Sequence, residues 1–450
     1  AIYGATHDPA TIQSVKNQLY GAYDIRTSNT KLMNVPGDSV GWGQTNSSVP
    51  YAYPWTRYLE DGLSERIDIR NTAVPGKTLA TIASEFLRND AGSFRRDYAA
   101  NVQVNWFGSN DLFLGGGTTG LALYNAMAAY VAQQKALGQY VIVADVIARD
   151  DLSSTKQAER VDYNNRLAAD WAGAHGFVQL SSTFNNFNDT SLFAADKIHL
   201  TLLGYQTVAS LMKPAIEAGL AYTPPAVPSL GVAVSDIPNH RVFFNTSDNS
   251  IANVKTDGGI RVYQMVNSSA AGDATQPTHN RKPQLLRYGV NGKPSLYFAG
   301  AQALGFDSGA LSLGAGDNTL IVIYKSDNTG DATHSLVSGL DASLAFRYGI
   351  RLTAASVEFC NRASSGGTIT MSATRDTNVH VAGFTRSGTA ITPFLDGAAG
   401  TPGSVASNIT CNSMALGAPS VTAGSTRLTG HVPIVIACNA VLTTSQLNAL

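Results

Sequence analysis

Near residue 222 the rhythm of the chain changes, and that change limits what it can fold into. Before it, short apolar runs at residues 31–35, 66–71, 101–107, 140–147 and 177–180 alternate with longer helical patterns at 54–63, 78–87, 120–137, 156–175 and 202–218. Strands that alternate with helices predict a parallel sheet covered on both faces, an α/β architecture. After it the helical patterns stop. Short runs rich in Val, Ile, Thr and aromatics recur between Gly, Asn, Asp and Ser clusters, at 241–244, 296–298, 319–324, 344–352, 357–360, 368–371, 380–384 and 432–438. That spacing predicts an all-β sandwich or barrel of antiparallel sheets. The stretch Tyr222-Thr223-Pro224-Pro225-Ala226-Val227-Pro228 has no helical period and reads as an extended connection. The expected organisation is therefore 1–222, a linker over 223–237, and 238–450.

At 450 residues the chain has room for more than one core, since single cores stop growing near roughly 250 to 300 residues. A formal net charge of -1 with 14% charged residues speaks against a nucleic-acid or membrane-surface partner. The longest strongly apolar stretch, 140–148, has the length of a buried strand and falls short of the ~20 residues a spanning helix needs. The chain opens at Ala1 with neither methionine nor a basic-then-apolar leader, so any signal segment is expected to have been removed already. The helical pattern at 11–20 precedes the first core strand and reads either as an extra packed helix or as the tail of an upstream domain. Three cysteines, Cys360, Cys411 and Cys438, read as small buried apolar residues with room for one disulfide.

The chemistry starts at Ser39. It directly follows the strand at 31–35 and sits in Gly37-Asp38-Ser39-Val40-Gly41, where glycines allow a sharp turn that lifts the hydroxyl above the sheet edge. The segment also fits the G-x-S-x-G elbow of α/β-hydrolases, although in that fold the serine follows several strands. Gly, Asp and Ser are ordinary turn residues as well, so the segment gains meaning only with partners. His199 stands in Asp196-Lys197-Ile198-His199-Leu200, just before the last helix of this half, on the side where open α/β sheets place their sites. Asp196, three residues upstream, is close enough in a tight turn to hold the histidine's tautomer. The plain alternative makes Asp196 a helix cap and His199 a surface residue. Asn110, in Gly108-Ser109-Asn110-Asp111 after the strand at 101–107, offers a side-chain N–H to a developing oxyanion, or is a turn asparagine. Gly76, in the loop after the strand at 66–71, offers a backbone N–H with no Cβ in the way.

Together these blocks resemble the SGNH hydrolases, the GDSL-type esterases, over roughly residues 31–220. The resemblance implies a flavodoxin-like three-layer α/β/α sandwich with a five-stranded parallel sheet, ester hydrolysis through an acyl-enzyme, no cofactor and no metal. It implies Ser39 as nucleophile and first oxyanion N–H, Gly76 and Asn110 as the further oxyanion donors, His199 as general base and Asp196 as its orienting acid. Where the family's first block usually has Leu this chain has Val40, another apolar packer.

The second half is loosely similar to concanavalin A-like, laminin-G-like jelly-roll domains, over 276–283, 292–300 and, as a closing strand and turn, 440–447. That resemblance implies a glycan- or surface-binding module, against the plain alternative of a spacer. Tyr263, Tyr288, Tyr348 and Phe394 are candidate sugar-stacking aromatics, and Asp317-Asn318 and Asp327-Asn328 are turn pairs that also suit calcium. Phage tail proteins and secreted bacterial polysaccharide esterases both look like this pairing. The expectation is an extracellular, secreted or virion-associated serine esterase. It would remove small acyl groups, O-acetyl above all, from a polysaccharide or cell-surface glycan. The alternative is a binding protein with a degenerate hydrolase half.

Overall fold

A computed structural model describes residues 30–45, 55–65, 67–86, 94–95, 98–114, 118–225, 240–246, 254–256, 261–267, 273–306, 316–327, 330, 333–340, 346–361, 368–373, 375–404, 413–418, 427–443 and 446–447. The helical pattern at 11–20, Cys411 and most of the expected linker lie outside those residues.

The first half is a parallel sheet of β1 (Lys31–Val35), β2 (Asp68–Asn71), β3 (Ala100–Asn105), β4 (Tyr140–Ala144) and β5 (Gly176–Val178), in the order β2-β1-β3-β4-β5. That order is the flavodoxin-like one, whose switch point lies between the first and third strands. The helices are α1 (Ser39–Trp42), α2 (Trp55–Gly62), α3 (Leu79–Phe86), α4 (Ser109–Leu114), α5 (Gly120–Leu137), α6 (Ser154–Asp170) and α7 (Leu202–Leu220). Alternation along each strand sends successive side chains to opposite faces. Met33, Val35, Val102, Val104, Ile142 and Ala144 thus meet Trp55 and Leu59 of α2 and Tyr205, Val208 and Met212 of α7. On the other face Val141 and Val143 meet Leu123, Met127 and Val131 of α5 and Tyr163 and Leu167 of α6. The result is the three-layer α/β/α sandwich.

On that second face β1 and β3 carry amides instead of hydrocarbons. Asn34 Nδ2 donates to Gln103 Oε1 at 2.8 Å, and Asn105 Nδ2 donates to Gln134 Oε1 of α5 at 2.8 Å, all four residues being buried. Buried polar groups are mostly paired, and each of these residues makes at least one bond within the row, although Asn34 Oδ1 has no partner among the described residues.

Side-chain caps fix where the long helices begin: Thr119 accepts from Ala122 N, Ser153 from Lys156 N and Thr201 from Gly204 N. The expected helix over 156–175 ends earlier, at Asp170, because Trp171 takes a left-handed φ of 61° and Asp170 accepts from Ala172 N. Gly108-Ser109-Asn110-Asp111, expected as a loop, opens the helix α4, and Ser39 begins the one-turn helix α1.

After α7, residues 222–225 run on without regular structure. The second half then forms two antiparallel sheets of nine strands each among the described residues. At the centre of one, Asn318–Ser326 pairs with Thr429–Cys438 and Val379–Ser387. At the centre of the other, His334–Leu340 pairs with Phe346–Leu352 and Ser413–Leu416. Leu320, Val322, Phe384 and Val435 of the first pack with Val337, Ile350, Val357 and Leu416 of the second in one apolar core, which makes a β-sandwich.

Some expectations need correcting. Tyr348 is fully buried and Phe394 nearly so, in apolar clusters, so neither is a sugar platform. Residues 440–443 are not the closing strand, which is Thr429–Cys438. Cys360 and Cys438 are buried, as small apolar residues are. The two halves touch where Leu286, in the strand Gln284–Val290, packs against the core beneath α5.

Candidate active site

β1 ends at Val35, and Gly37 makes an isolated parallel bridge to Trp106 just beyond β3. The chain there is hemmed in. A Cβ on Gly37 would lie 3.3 Å from the Ala73 methyl and 3.4 Å from the Trp106 carbonyl, so a side chain there would have to push its neighbours back by a few tenths of an ångström. The next residue, Asp38, is buried and caps α1 by accepting from Val40 N at 3.0 Å. Ser39 is therefore the first residue of a helical turn, where backbone N–H groups have no partner within the helix. Tyr205 of α7 holds the far end of the turn by donating to Gln44 O at 2.6 Å.

His199 reaches this serine from the other side. Its Nε2 is 2.9 Å from Ser39 Oγ, and its Nδ1 is 2.7 Å from Asp196 Oδ2. The other carboxylate oxygen of Asp196 accepts the backbone N–H of Ile198 at 3.1 Å and of His199 at 3.0 Å. Asp196 is thus not a helix cap; α7 is capped by Thr201. Burial works against the Asp196 charge, but the His199 ring and these two N–H groups outweigh it and hold the carboxyl below its ordinary range. A charged Asp196 facing Nδ1 puts the ring proton there, which leaves Nε2 as an acceptor for the Ser39 hydroxyl.

The loop after β2 lies against the nucleophile turn. Val74 N donates to Gly37 O at 2.9 Å, and Asn71 Nδ2 donates to Gly41 O at 3.0 Å. Gly76 follows with a φ of 80° and open space around it. Asn110, buried in the first turn of α4, donates from Nδ2 to Lys77 O at 3.1 Å, and Asp111 accepts Leu79 N with both oxygens at 2.9 and 3.0 Å. These contacts tie the Gly76 loop to Gly37 on one side and to Asn110 on the other. All five expected residues gather at the carboxyl edge of the sheet, around the switch point between β1 and β3.

Two groups besides the five expected residues bear on the site. Arg149, buried beyond β4, donates to Ser109 Oγ at 2.6 Å, pairs with Asp151, and stacks its guanidinium 4.8 Å from the centre of the half-exposed Phe113 ring. It fixes the start of α4, and so the place of Asn110. Asp38 has its pKa raised to about 6, chiefly by burial, against the opposing pull of Val40 and Gly41 N–H and of the Arg149 and His199 charges. Its sequence signal was position alone, next to the serine.

A hydroxyl beside an oriented imidazole, with N–H donors gathered near it, can attack an acyl carbonyl and hold the oxyanion that results. Residues 36–207 match the sequence profile of the GDSL-like lipase/acylhydrolase family. No curated protein matches the chain. Among solved structures, a lipase/acylhydrolase from Enterococcus faecalis is similar at 17% identity, covering 43% of this chain and 98% of its own, with a TM-score of 0.34. A member of the lipolytic G-D-S-L family from Veillonella parvula is similar at 16% identity, covering 42% and 97%, with a TM-score of 0.33. A Trypanosoma rangeli sialidase is similar at 14% identity, covering 55% of this chain and 39% of its own, with a TM-score of 0.36. These scores are too low to carry an argument, and the assignment stands on the family profile alone. Residues 36–207 are accordingly a domain of the GDSL/SGNH lipase-acylhydrolase family, a family of ester hydrolases.

Proposed function

We propose that the protein is a serine esterase that removes small acyl groups, chiefly O-acetyl, from a polysaccharide, with the β-sandwich as an accessory glycan-binding module. The observation that carries the esterase part is the continuous hydrogen-bonded series from Ser39 Oγ through His199 to Asp196, at 2.9 and 2.7 Å. In the proposed reaction His199 Nε2 takes the Ser39 proton as Oγ bonds to the ester carbonyl carbon. Ser39 N–H, Gly76 N–H and Asn110 Nδ2 hold the oxyanion. The tetrahedral intermediate collapses as His199 returns the proton to the departing sugar oxygen, leaving acyl-Ser39. Water, deprotonated by the same imidazole, then releases the carboxylate and restores the serine.

What supports a glycan ester is the low overall charge and the pairing of a hydrolase domain with a sandwich. No helix among the described residues is long and apolar enough to cross a membrane. An extracellular site of action, secreted or virion-associated, follows from that substrate. The experiment is acetate release from a panel of acetylated polysaccharides by the wild type and by Ser39→Ala. Release from at least one polymer by the wild type alone is the expected result. Equal release by both proteins overturns the role of Ser39, and release from none overturns the substrate class.

A further inference from the structure

At the amino end of the sheet, away from Ser39, the two halves border an open cleft of about 680 Å³. Its walls include Ala132 and Lys135 of α5, His175 just before β5, Tyr222 after α7, and Tyr288 of the sandwich strand Gln284–Val290. The aromatic wall is built as a unit. Behind it Tyr140 stacks on His175 with ring centres 4.9 Å apart and planes 18° from parallel, and Tyr222 packs against both at 5.1 Å. Tyr288 is held by donating to Pro225 O at 2.6 Å.

The polar groups are as defined as the rings. His175 Nδ1 accepts Val141 N–H at 3.0 Å, so the ring proton sits on Nε2. Burial, then the Lys135 charge, push the His175 pKa down to about 4, so the imidazole is a neutral donor through the physiological range. Lys135, the one cation of the lining, already donates to Gly173 O at 2.8 Å. Among the described residues no carboxylate lines the cavity. A cationic ligand would find no counter-ion among them, and an anionic one would find only the Lys135 ammonium, one of whose N–H groups is already given to Gly173 O. A neutral pyranose has apolar C–H faces for the rings and hydroxyl edges for the donors. The volume falls within the ~300 to 1,000 Å³ common for ligand pockets.

We propose that this junction cleft binds a neutral pyranose segment of the polymeric substrate, at a site remote from the ester; the proposal rests on the polysaccharide reading above. β1 leads into Ser39 at one end of the sheet, whereas Tyr140 opens β4 at the other. The bound segment and the reacting acyl group are therefore separated by at least about 17 Å, the length of a five-residue strand, because β4 also lies two strands across from β1. The cleft tethers the polymer and leaves the chemistry untouched.

The test uses the full chain carrying Ser39→Ala, so that nothing turns over, titrated calorimetrically with cello-, xylo-, manno- and chitotetraose, and with dodecanoate as an apolar probe. Binding of at least one tetraose is expected, with a loss of tenfold or more in Tyr222→Ala and in Ala132→Phe. The second variant fills the cavity from an exposed position, so it removes no packing. In the chain with Ser39 intact, both should raise KM for an acetylated polymer several-fold and leave kcat/KM for p-nitrophenyl acetate within twofold. The proposal fails if no tetraose binds, if binding survives both variants, or if dodecanoate alone binds. Acetate release that does not depend on Ser39 would sink the esterase reading and leave the titration result standing.

Discussion

In the α/β half, Ser39 Oγ lies 2.9 Å from His199 Nε2, and His199 Nδ1 lies 2.7 Å from Asp196. In the sandwich, Ser295 Oγ lies 3.0 Å from His431 Nδ1, and His431 Nε2 lies 3.4 Å from Asp327. The same three residue types are in contact in both places, yet the surroundings differ. Ser39 stands on a turn at the sheet edge, beside the Gly76 loop and Asn110. Ser295 stands in the middle of the strand Lys293–Ala299, opposite Leu286 in the ladder, with no exposed surface. His431 is covered by the Tyr297 ring at 4.9 Å, and Asp327 also meets Lys325 Nζ at 3.0 Å. A serine-histidine-aspartate contact therefore does not make a nucleophile. In the proposed reaction, access for the carbonyl and donors for its oxygen are what separate the two.

The sharpest break between the arrays is Ser39→Ala, which should lower p-nitrophenyl acetate turnover by about 10⁴-fold or more, as loss of the nucleophile does in serine hydrolases. Retained turnover in that variant would mean that some other group, Ser295 included, attacks the ester. Next in size is Asn110→Ala. Removing one oxyanion donor typically costs about 10²- to 10³-fold in kcat. The loss should fall on kcat with KM little changed, because the donor acts on charge that develops only in the transition state. A rise in KM alone would reduce Asn110 to its structural bond with Lys77 O.

The apolar halves of both architectures were legible because burial follows periodicity: β1, β4, α5 and α7 lie close to where the hydrophobic pattern puts them. Ser39, Gly76 and Asn110 stood out as candidates because each lies a few residues beyond a strand end, and Asp196 and His199 because they just precede the last helix of the half. What escaped was polar burial. Asn34, Gln103 and Asn105 alternate with hydrocarbons as a solvent-facing row would, and only the pairing with Gln134 shows why they are inside. His334–Leu340 was missed as a strand because its His, Ser and Gly residues hide a fully buried segment. Arg149 was invisible for a different reason: its partners Ser109 and Phe113 lie about forty residues upstream.

Asp38 gives a pH test that belongs to the first array only. Its carboxyl titrates at about 6 in the folded protein against 3.8 for the free group. Between those values the folded state keeps a proton that the unfolded chain has lost, so this group's contribution to stability falls as pH rises. Asn is neutral throughout and keeps an oxygen to accept Val40 N–H. Relative to wild type, Asp38→Asn should therefore gain about 2 kcal/mol between pH 4.5 and pH 8, at 1.36 kcal/mol per pKa unit. Urea unfolding followed on the α/β half reads it. A stability difference that does not change with pH would show that Asp38 is charged across the range.

Ser295→Ala carries the smallest effect and completes the contrast. The hydroxyl is buried and its partner is His431 Nδ1, so its removal leaves one buried ring nitrogen without that bond. The expected loss is about 1 kcal/mol of sandwich stability, the net value of one hydrogen bond, seen as a lower urea midpoint at unchanged slope. Ester turnover should stay within twofold of wild type, because the sandwich core is separate from the residues around Ser39. Ser39→Ala should show the reverse pattern, a collapse of turnover with little change in midpoint, since Ser39 keeps slight solvent exposure and its helical turn is capped by Asp38. If Ser295→Ala lowered turnover while its midpoint held, the sandwich array would be coupled to the chemistry and the contrast between the two would collapse.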